Sequence, residues 1–151
     1  NLEYLRKDFK RNDIDYSNTL FFLGQPLFIF ANRDEFKESF KKVIEKNKDK
    51  KIVYIPHRED KQTIEIVKDI LKNIDILEID RPIERYFLEN GIYPKNVISY
   101  SSTALTTIKI LFENCFVEYI KNKNPNLKLN DMRGLDFVYQ YFEKSNIKEF
   151  K

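Results

Sequence analysis

A chain of 151 residues with 27 basic and 24 acidic side chains, net charge +3, has the length of one ordinary domain and can bury a core without covalent staples. Its charges are too evenly balanced to leave the basic footprint of a nucleic-acid binder. The single cysteine excludes a disulfide framework, and no 18-residue apolar run marks a membrane span or a signal peptide. Cys115 sits in the apolar-rich run Phe112 to Val117 and reads as a buried structural thiol of a reducing compartment rather than a nucleophile. The first residue is Asn1 rather than an initiator methionine, which suggests a piece of a longer polypeptide.

Residues 1–18 are charged and carry only Leu2, Leu5 and Phe9 at near-helical spacing. They read as a linker or short helix arriving from an upstream domain, with the domain proper at 19–151. Thr19 to Leu23 is the first expected strand, closed by Gly24-Gln25-Pro26. After an apolar stretch to Ala31, Asn32 is the expected N-cap of a helix, and Asp34 and Glu35 suit its first turn. Phe36, Phe40, Val43 and Ile44 then recur on one helical face, and the lysine-rich 46–51 ends that helix in solvent.

Ile52 to Ile55 is a second strand, β-branched and aromatic, which ends in Pro56 and releases His57, the only histidine of the chain. Ile64, Val67, Ile70 and Leu71 mark a second helix, and Ile74 to Ile79 a third strand. Arg81-Pro82 stops that strand and starts a helix, which Gly91 ends. Asn96 to Tyr100 is the fourth strand, followed by Ser101-Ser102-Thr103 and a helical face of Ala104, Leu105, Ile108 and Leu111. Cys115 to Ile120 is a fifth strand, and a helix carrying Leu135, Val138, Tyr139 and Phe142 completes the chain.

Short apolar strands alternating with helical patterns predict an α/β fold, a Rossmann-like open parallel sheet with helices on both faces. In such a sheet the C-terminal tips of all strands share one edge, and ligands bind there where strand order reverses. The polar motifs fall on those tips: Gly24-Gln25-Pro26, Pro56-His57-Arg58, Arg81-Pro82-Ile83-Glu84 and Ser101-Ser102-Thr103. Gly24 admits a ligand close to the backbone or is a plain turn glycine. The hydroxyls and free N–H groups of Ser101, Ser102 and Thr103 suit a phosphate or simply cap a helix. Glu84 accepts from ribose hydroxyls or is a surface carboxylate favoured by the helix dipole. His57 donates to a phosphate or leaving group, or is a solvated loop residue, and Arg58 adds positive charge. No G-x-G-x-x-G, Walker A, metal-ligand cluster or G-x-S-x-G sequence is present.

The ordered set Phe22-Leu23-Gly24-Gln25-Pro26-Leu27, Tyr54-Ile55-Pro56-His57-Arg58-Glu59, Asp80-Arg81-Pro82-Ile83-Glu84 and Ser99-Tyr100-Ser101-Ser102-Thr103-Ala104-Leu105 resembles the C-terminal, donor-binding half of bacterial sialyltransferases of glycosyltransferase family 52, the lipooligosaccharide and capsule enzymes. Related bacterial sialyltransferase and polysialyltransferase families share the histidine motif and the serine pair. The resemblance covers about residues 19 to 120. It implies one half of a two-domain GT-B glycosyltransferase that moves N-acetylneuraminate from CMP-N-acetylneuraminate to a terminal galactose, with inversion and without a metal or other cofactor. It further implies His57 as the catalytic proton donor, and Gly24, Gln25, Pro56, Arg58, Glu84, Ser101, Ser102 and Thr103 as the residues around the nucleotide sugar.

The general base does not map onto a matching position; Asp34 and Glu35 are the nearest upstream carboxylates. The glycan acceptor is expected on a separate N-terminal domain, and the location is cytoplasmic, with peripheral attachment to the inner membrane and homodimerisation left open. Two other classes stay open beside this one. One is a non-catalytic nucleotide-binding module on the same fold. The other is an anionic-surface binder built on Lys41-Lys42 and the lysines of 46–51, although interleaved acidic residues make these read as a solvated helix end.

Overall fold

The first strand, β1 (Thr19–Leu23), has no polar face: Leu20, Phe21, Phe22 and Leu23 are all buried. Side chains alternate sides along a strand, so a strand with four consecutive buried apolar residues must be covered on both faces. The computed structural model, which describes residues 5, 9–124 and 129–151, with side chains of the last group from 134 onward, shows how that is done.

Six strands form one sheet. In chain order they are β1, β2 (Lys51–Ile55), β3 (Asp75–Ile76), β4 (Asn96–Ser99), β5 (Phe116–Tyr119) and β6 (Lys148–Glu149). They lie in the order β3-β2-β1-β4-β5-β6, and every pairing is parallel. This is the doubly wound order, which grows outward from β1 in one direction and from β4 in the other. The expected α/β, Rossmann-like sheet is therefore the observed one.

Helices α1 (Arg33–Lys46) and α2 (Gln62–Ile70) cover one face. Their Phe36, Phe40, Val43, Ile66 and Val67 join Leu20, Phe22, Ile52, Tyr54 and Ile98 in one core cluster. Helices α3 (Ile83–Glu89), α4 (Ala104–Leu111) and α5 (Leu129–Lys144) serve the other face. There Phe87, Leu105, Ile108, Tyr139 and Phe142 pack with Phe21, Leu23, Val97 and Val117. Each such side chain contributes roughly 1.5–3 kcal/mol by leaving water. Phe22 alone meets Phe40, Tyr54 and Tyr100 at centroid distances of 5.2, 5.6 and 5.9 Å, the tilted and edge-on arrangements that aromatic quadrupoles prefer.

Local signals place the elements. Asn32 Oδ1 accepts the Glu35 N–H at 2.9 Å, the N-cap expected from sequence. Gly91 takes φ +65°, while the Ile92 N–H donates to Phe87 O at 2.8 Å and the Gly91 N–H to Leu88 O at 3.3 Å. These two bonds form a Schellman cap, which requires a left-handed residue at that position.

Three expectations are corrected. The third strand is two residues rather than six, because Pro56 has no N–H with which to continue the β2–β3 ladder; the last bond runs from Leu77 N–H to Tyr54 O at 2.9 Å. The buried residues of α2 are Thr63, Ile66 and Val67, with Ile64 and Ile70 half-buried. The chain also does not finish on its last helix, since β6 follows and extends the sheet. Within 1–18, residues 2 and others before Phe9 lie outside the described residues except Leu5, while Phe9 packs on Tyr93 and Phe112 and Tyr16 packs on Phe21. No described helix is long and apolar enough to cross a membrane.

Candidate functional site

Between β1 and β4 the last paired residues are Phe22 and Ile98. Beyond them the strands part. Gly24 follows β2, its N–H donating to Ile55 O at 2.7 Å, whereas the residues after β4 follow β5, with the Ile120 N–H on Ser99 O at 2.7 Å. The buried Ser99 hydroxyl donates to Leu23 O at 2.8 Å and closes the floor of the gap. A crevice at the topological switch point follows from this divergence.

A cavity of about 330 Å³ opens there, lined by the tips of four strands. Gly24 and Gln25 come from β1, and Pro56, His57 and Arg58 from β2. Glu84 comes from the start of α3, and Ser102 and Thr103 from the start of α4. Eight of the nine residues singled out from sequence are thus brought together. Ser101 is not among the lining residues. Sequence reasoning passed over Ile79, Ala104 and Thr107, which also line the cavity. Thr107 lies one helical turn beyond Thr103, so a helix starting at the serine pair carries it to the same wall.

His57 is half-buried, and its Nδ1 accepts the Glu59 N–H at 3.3 Å. A ring nitrogen that accepts carries no proton, so in the neutral ring the proton sits on Nε2. His57 is thereby set as a donor through Nε2. Asp60 closes the same turn: its N–H donates to His57 O at 3.1 Å, and its carboxylate accepts the N–H groups of Leu27 and Gln62. Arg58 is exposed and has no ion-pair partner among the described residues, in contrast to Arg81, which binds Asp80 at 2.8 Å and Glu89 at 2.7 Å. Those contacts hold the Asp80 carboxyl below its ordinary value, the Arg81 hydrogen bond being the main cause. The uncompensated positive charge at the cavity is therefore that of Arg58.

At the serine pair, Ser102 Oγ accepts the Ala104 N–H at 3.3 Å. Its hydroxyl hydrogen remains free to donate toward the cavity, next to the positive end of the α4 dipole. Glu84 is half-buried and enters no hydrogen bond or ion pair among the described residues, which leaves both oxygens as acceptors.

Gly24 has a second reason to be glycine. An added Cβ would strike the Tyr54 hydroxyl and lie 2.8 Å from Tyr54 Cζ and 3.2 Å from Ile55 O. The close approach it permits is to the protein's own core, beside whatever it allows a ligand. Beneath it, the hydroxyls of Tyr54 and Thr63 are buried near each other without a well-formed hydrogen bond among the described residues, and burial pushes the Tyr54 phenol upward.

Neither upstream carboxylate lines the cavity. Glu35 accepts the Ala31 N–H, one residue before the Asn32 N-cap, at 2.6 Å and the Lys123 N–H at 3.4 Å. Asp34 is exposed. Cys115 is buried away from the site, and burial pushes its thiol up to about 12, as expected of an inert side chain. In the lysine clusters, Lys42 pairs with Glu38 on α1, Lys50 with Asp49 after the helix end, and Lys51 with Asp75 across the β2–β3 pair.

The family model described as alpha-2,8-polysialyltransferase (POLYST) matches residues 1–120. No curated protein and no solved structure matches the chain. Since the match takes in 120 of 151 residues and includes all four strand-tip motifs, the chain belongs to the alpha-2,8-polysialyltransferase family and is a sialyltransferase.

Proposed function

We propose that the cavity between β1 and β4 receives the CMP part of CMP-N-acetylneuraminate, and that this chain supplies the donor side of sialyl transfer in a GT-B enzyme related to glycosyltransferase family 52. The observation that carries the reading is the convergence of His57, Glu84 and Ser102, from three separate strand tips, on one cavity at the switch point. Its volume lies at the low end of the roughly 300–1,000 Å³ typical of small-molecule sites. A nucleoside monophosphate fits that scale, with the sugar directed outward.

Ser102 Oγ and the N-terminus of α4 hold the phosphate. Glu84 accepts from the ribose hydroxyls. Gly24, Gln25 and Pro56 form the wall opposite α4, Thr103 extends the phosphate side, and Ser101 acts from behind Ser102 rather than on the ligand. In the transfer, the bond from the sialic acid anomeric carbon to the phosphate oxygen breaks while an acceptor hydroxyl attacks from the opposite face, so configuration inverts. The acceptor proton leaves to a base, and CMP departs with the bonding pair.

Negative charge grows on the phosphate as that bond stretches. A donor already fixed at His57 Nε2, with the Arg58 charge nearby, stabilises the developing charge more than the starting one. No metal is required by this scheme. For the acceptor we follow the family's description and assign a sialic acid hydroxyl in place of the terminal galactose expected from the family 52 resemblance.

Calorimetry on the chain with CMP, UMP and AMP tests the reading. CMP should bind tightest, and Ser102→Ala should weaken it by roughly 1–2 kcal/mol, the worth of one hydrogen bond to a charged group. Equal affinity for the three nucleotides would remove the basis for a CMP donor.

A further inference from the structure

We propose that Asp60 is a positioning residue that sets His57 against the Gly24–Gln25 segment across the cavity. The inference rests on the donor-site reading above and adds to it the device that fixes the site's width. Two loops make the β1 and β2 walls, and each contains a proline that removes one backbone donor. At the base they are joined by the bond from Gly24 N–H to Ile55 O at 2.7 Å. Past that point Pro26 has no N–H, so Leu27 is the first residue after Gln25 with a backbone hydrogen to offer.

Asp60 takes that hydrogen. Its Oδ2 accepts the Leu27 N–H at 2.5 Å, and its Oδ1 accepts the Gln62 N–H at 2.9 Å. Its own N–H donates to His57 O at 3.1 Å, within the turn whose Glu59 N–H fixes His57 Nδ1 as an acceptor. One side chain therefore joins the far end of the Gly24–Gln25 segment to the histidine turn. Two attachment points, at the base and at the far end, fix both the separation of the two walls and the direction of the imidazole; one point would leave a hinge. Bonds from backbone N–H groups to a carboxylate are charge-assisted and about twice as strong as neutral ones. Asp60 does not line the donor cavity but a separate one of about 380 Å³ beside it, with Phe28 and Glu59, so it acts through His57 and not on the ligand.

The competing role is a plain cap for α2, since Gln62 is that helix's first residue. Asp60→Ser separates the two: a serine hydroxyl caps Gln62 N–H but is too short to reach Leu27 as well. Amide hydrogen exchange at Leu27 and Gln62 reads the two bonds, and the ring nitrogens of the chain's only histidine give one ¹⁵N signal pair that reports the tautomer. In nucleotide-free Asp60→Ser we expect Leu27 to exchange at least about tenfold faster, Gln62 to keep its protection, and the His57 nitrogens to move toward tautomer-averaged shifts. CMP affinity should then fall about tenfold.

Asp60→Asn keeps the shape and serves if the serine variant does not fold. Leu27 N–H and Gln62 N–H face different carboxylate oxygens, and in asparagine an NH2 donor takes the place of one of them, so one of the two amides must lose protection. Wild-type exchange at Leu27 together with unmoved His57 shifts in Asp60→Ser, or full protection of both amides in Asp60→Asn, overturns the proposal. A wild-type chain that ignores CMP while Leu27 and His57 respond as described refutes the donor reading and leaves the clamp established.

Discussion

Gly24→Ala is the sharpest test of how this site is built, because the same residue faces the cavity and the core. The alanine Cβ would fall on the Tyr54 hydroxyl and 2.8 Å from Tyr54 Cζ, with Ile55 O at 3.2 Å behind it. Neither neighbour yields easily. Ile55 O is backbone already bonded to Gly24 N–H, and the Tyr54 ring is fixed by Phe22 and Phe40 at 5.6 and 6.0 Å. Overpacking of this kind costs about 1–3 kcal/mol, and the lower chain entropy of unfolded alanine returns roughly 0.4–1 kcal/mol. A net loss of about 1–2 kcal/mol corresponds to a melting temperature lowered by roughly 2–8 °C in a domain of this size. Urea and thermal unfolding followed by circular dichroism measure it directly. Tyr54→Phe should stay within about 1 kcal/mol of wild type, since the hydroxyl it removes is buried without a good partner. In that background Gly24→Ala should recover part of its loss, a coupling of about 0.5 kcal/mol or more. A Gly24→Ala protein with the wild-type urea midpoint refutes the packing argument and leaves ligand approach as the sole reason for the glycine.

Two further outcomes follow from the same geometry. In protein that turns over CMP-N-acetylneuraminate, His57→Ala should lower kcat by about a hundredfold or more while KM moves little, because a donor to the departing phosphate acts mainly in the transition state; steady-state kinetics with near-normal kcat would return His57 to the status of a loop residue. Burial raises the carboxyl of Glu118 above its ordinary value, and Lys46 and Lys50 offset this in part. A carboxyl raised on folding favours the fold below its unfolded value and loses that contribution as pH rises through the raised one, so Glu118→Gln should be more stable than wild type at pH 8 and equal to it near pH 3.5, and urea midpoints that do not converge at the acid end would show the cause is not titration.

The sheet was legible because both faces of its central strands are buried. Thr19 to Leu23 carries consecutive apolar residues where a half-exposed strand would alternate, and that pattern fits a parallel sheet flanked by helices. The caps were legible for the same local reason: Asn32 and Gly91 are residue types whose backbone or side-chain chemistry suits one position. What escaped was decided by partners distant in sequence. The third strand is short because Pro56, some twenty residues earlier, has no N–H to offer it, and the apolar run Ile74 to Ile79 gives no sign of this. The sixth strand has two residues, Lys148 and Glu149, both polar. Its one local signal is Asn146 at φ 59°, with the Ile147 N–H on Phe142 O at 2.9 Å. That asparagine ends the helix and turns the chain back toward the edge of the sheet.

The site divides along the same line. Residues that line the cavity carry their chemistry in the side chain, and a parallel sheet sends the residue after each strand to one edge, so His57, Glu84 and Ser102 were legible as a group; Ser101, which does not line the cavity, could not be told from Ser102 by its position. Residues that hold those side chains in place do so through backbone bonds, and a sequence does not show which N–H lies opposite which carboxylate. Asp60 sits 33 residues from Leu27, and Glu35 sits 88 from Lys123. From sequence, Glu35 looked like a candidate base and Asp60 like nothing in particular. In the fold Glu35 is occupied by the Ala31 and Lys123 amides and does not line the cavity, while Asp60 bonds both Leu27 and the His57 turn. A search for the catalytic base therefore has to begin from carboxylates whose oxygens are not already spent on backbone N–H groups, and along the cavity wall Glu84 alone among the described residues meets that condition. On the proposed assignment of Glu84 to the ribose, the base for the acceptor hydroxyl would come from across the open mouth of the cavity, on the surface that presents the acceptor.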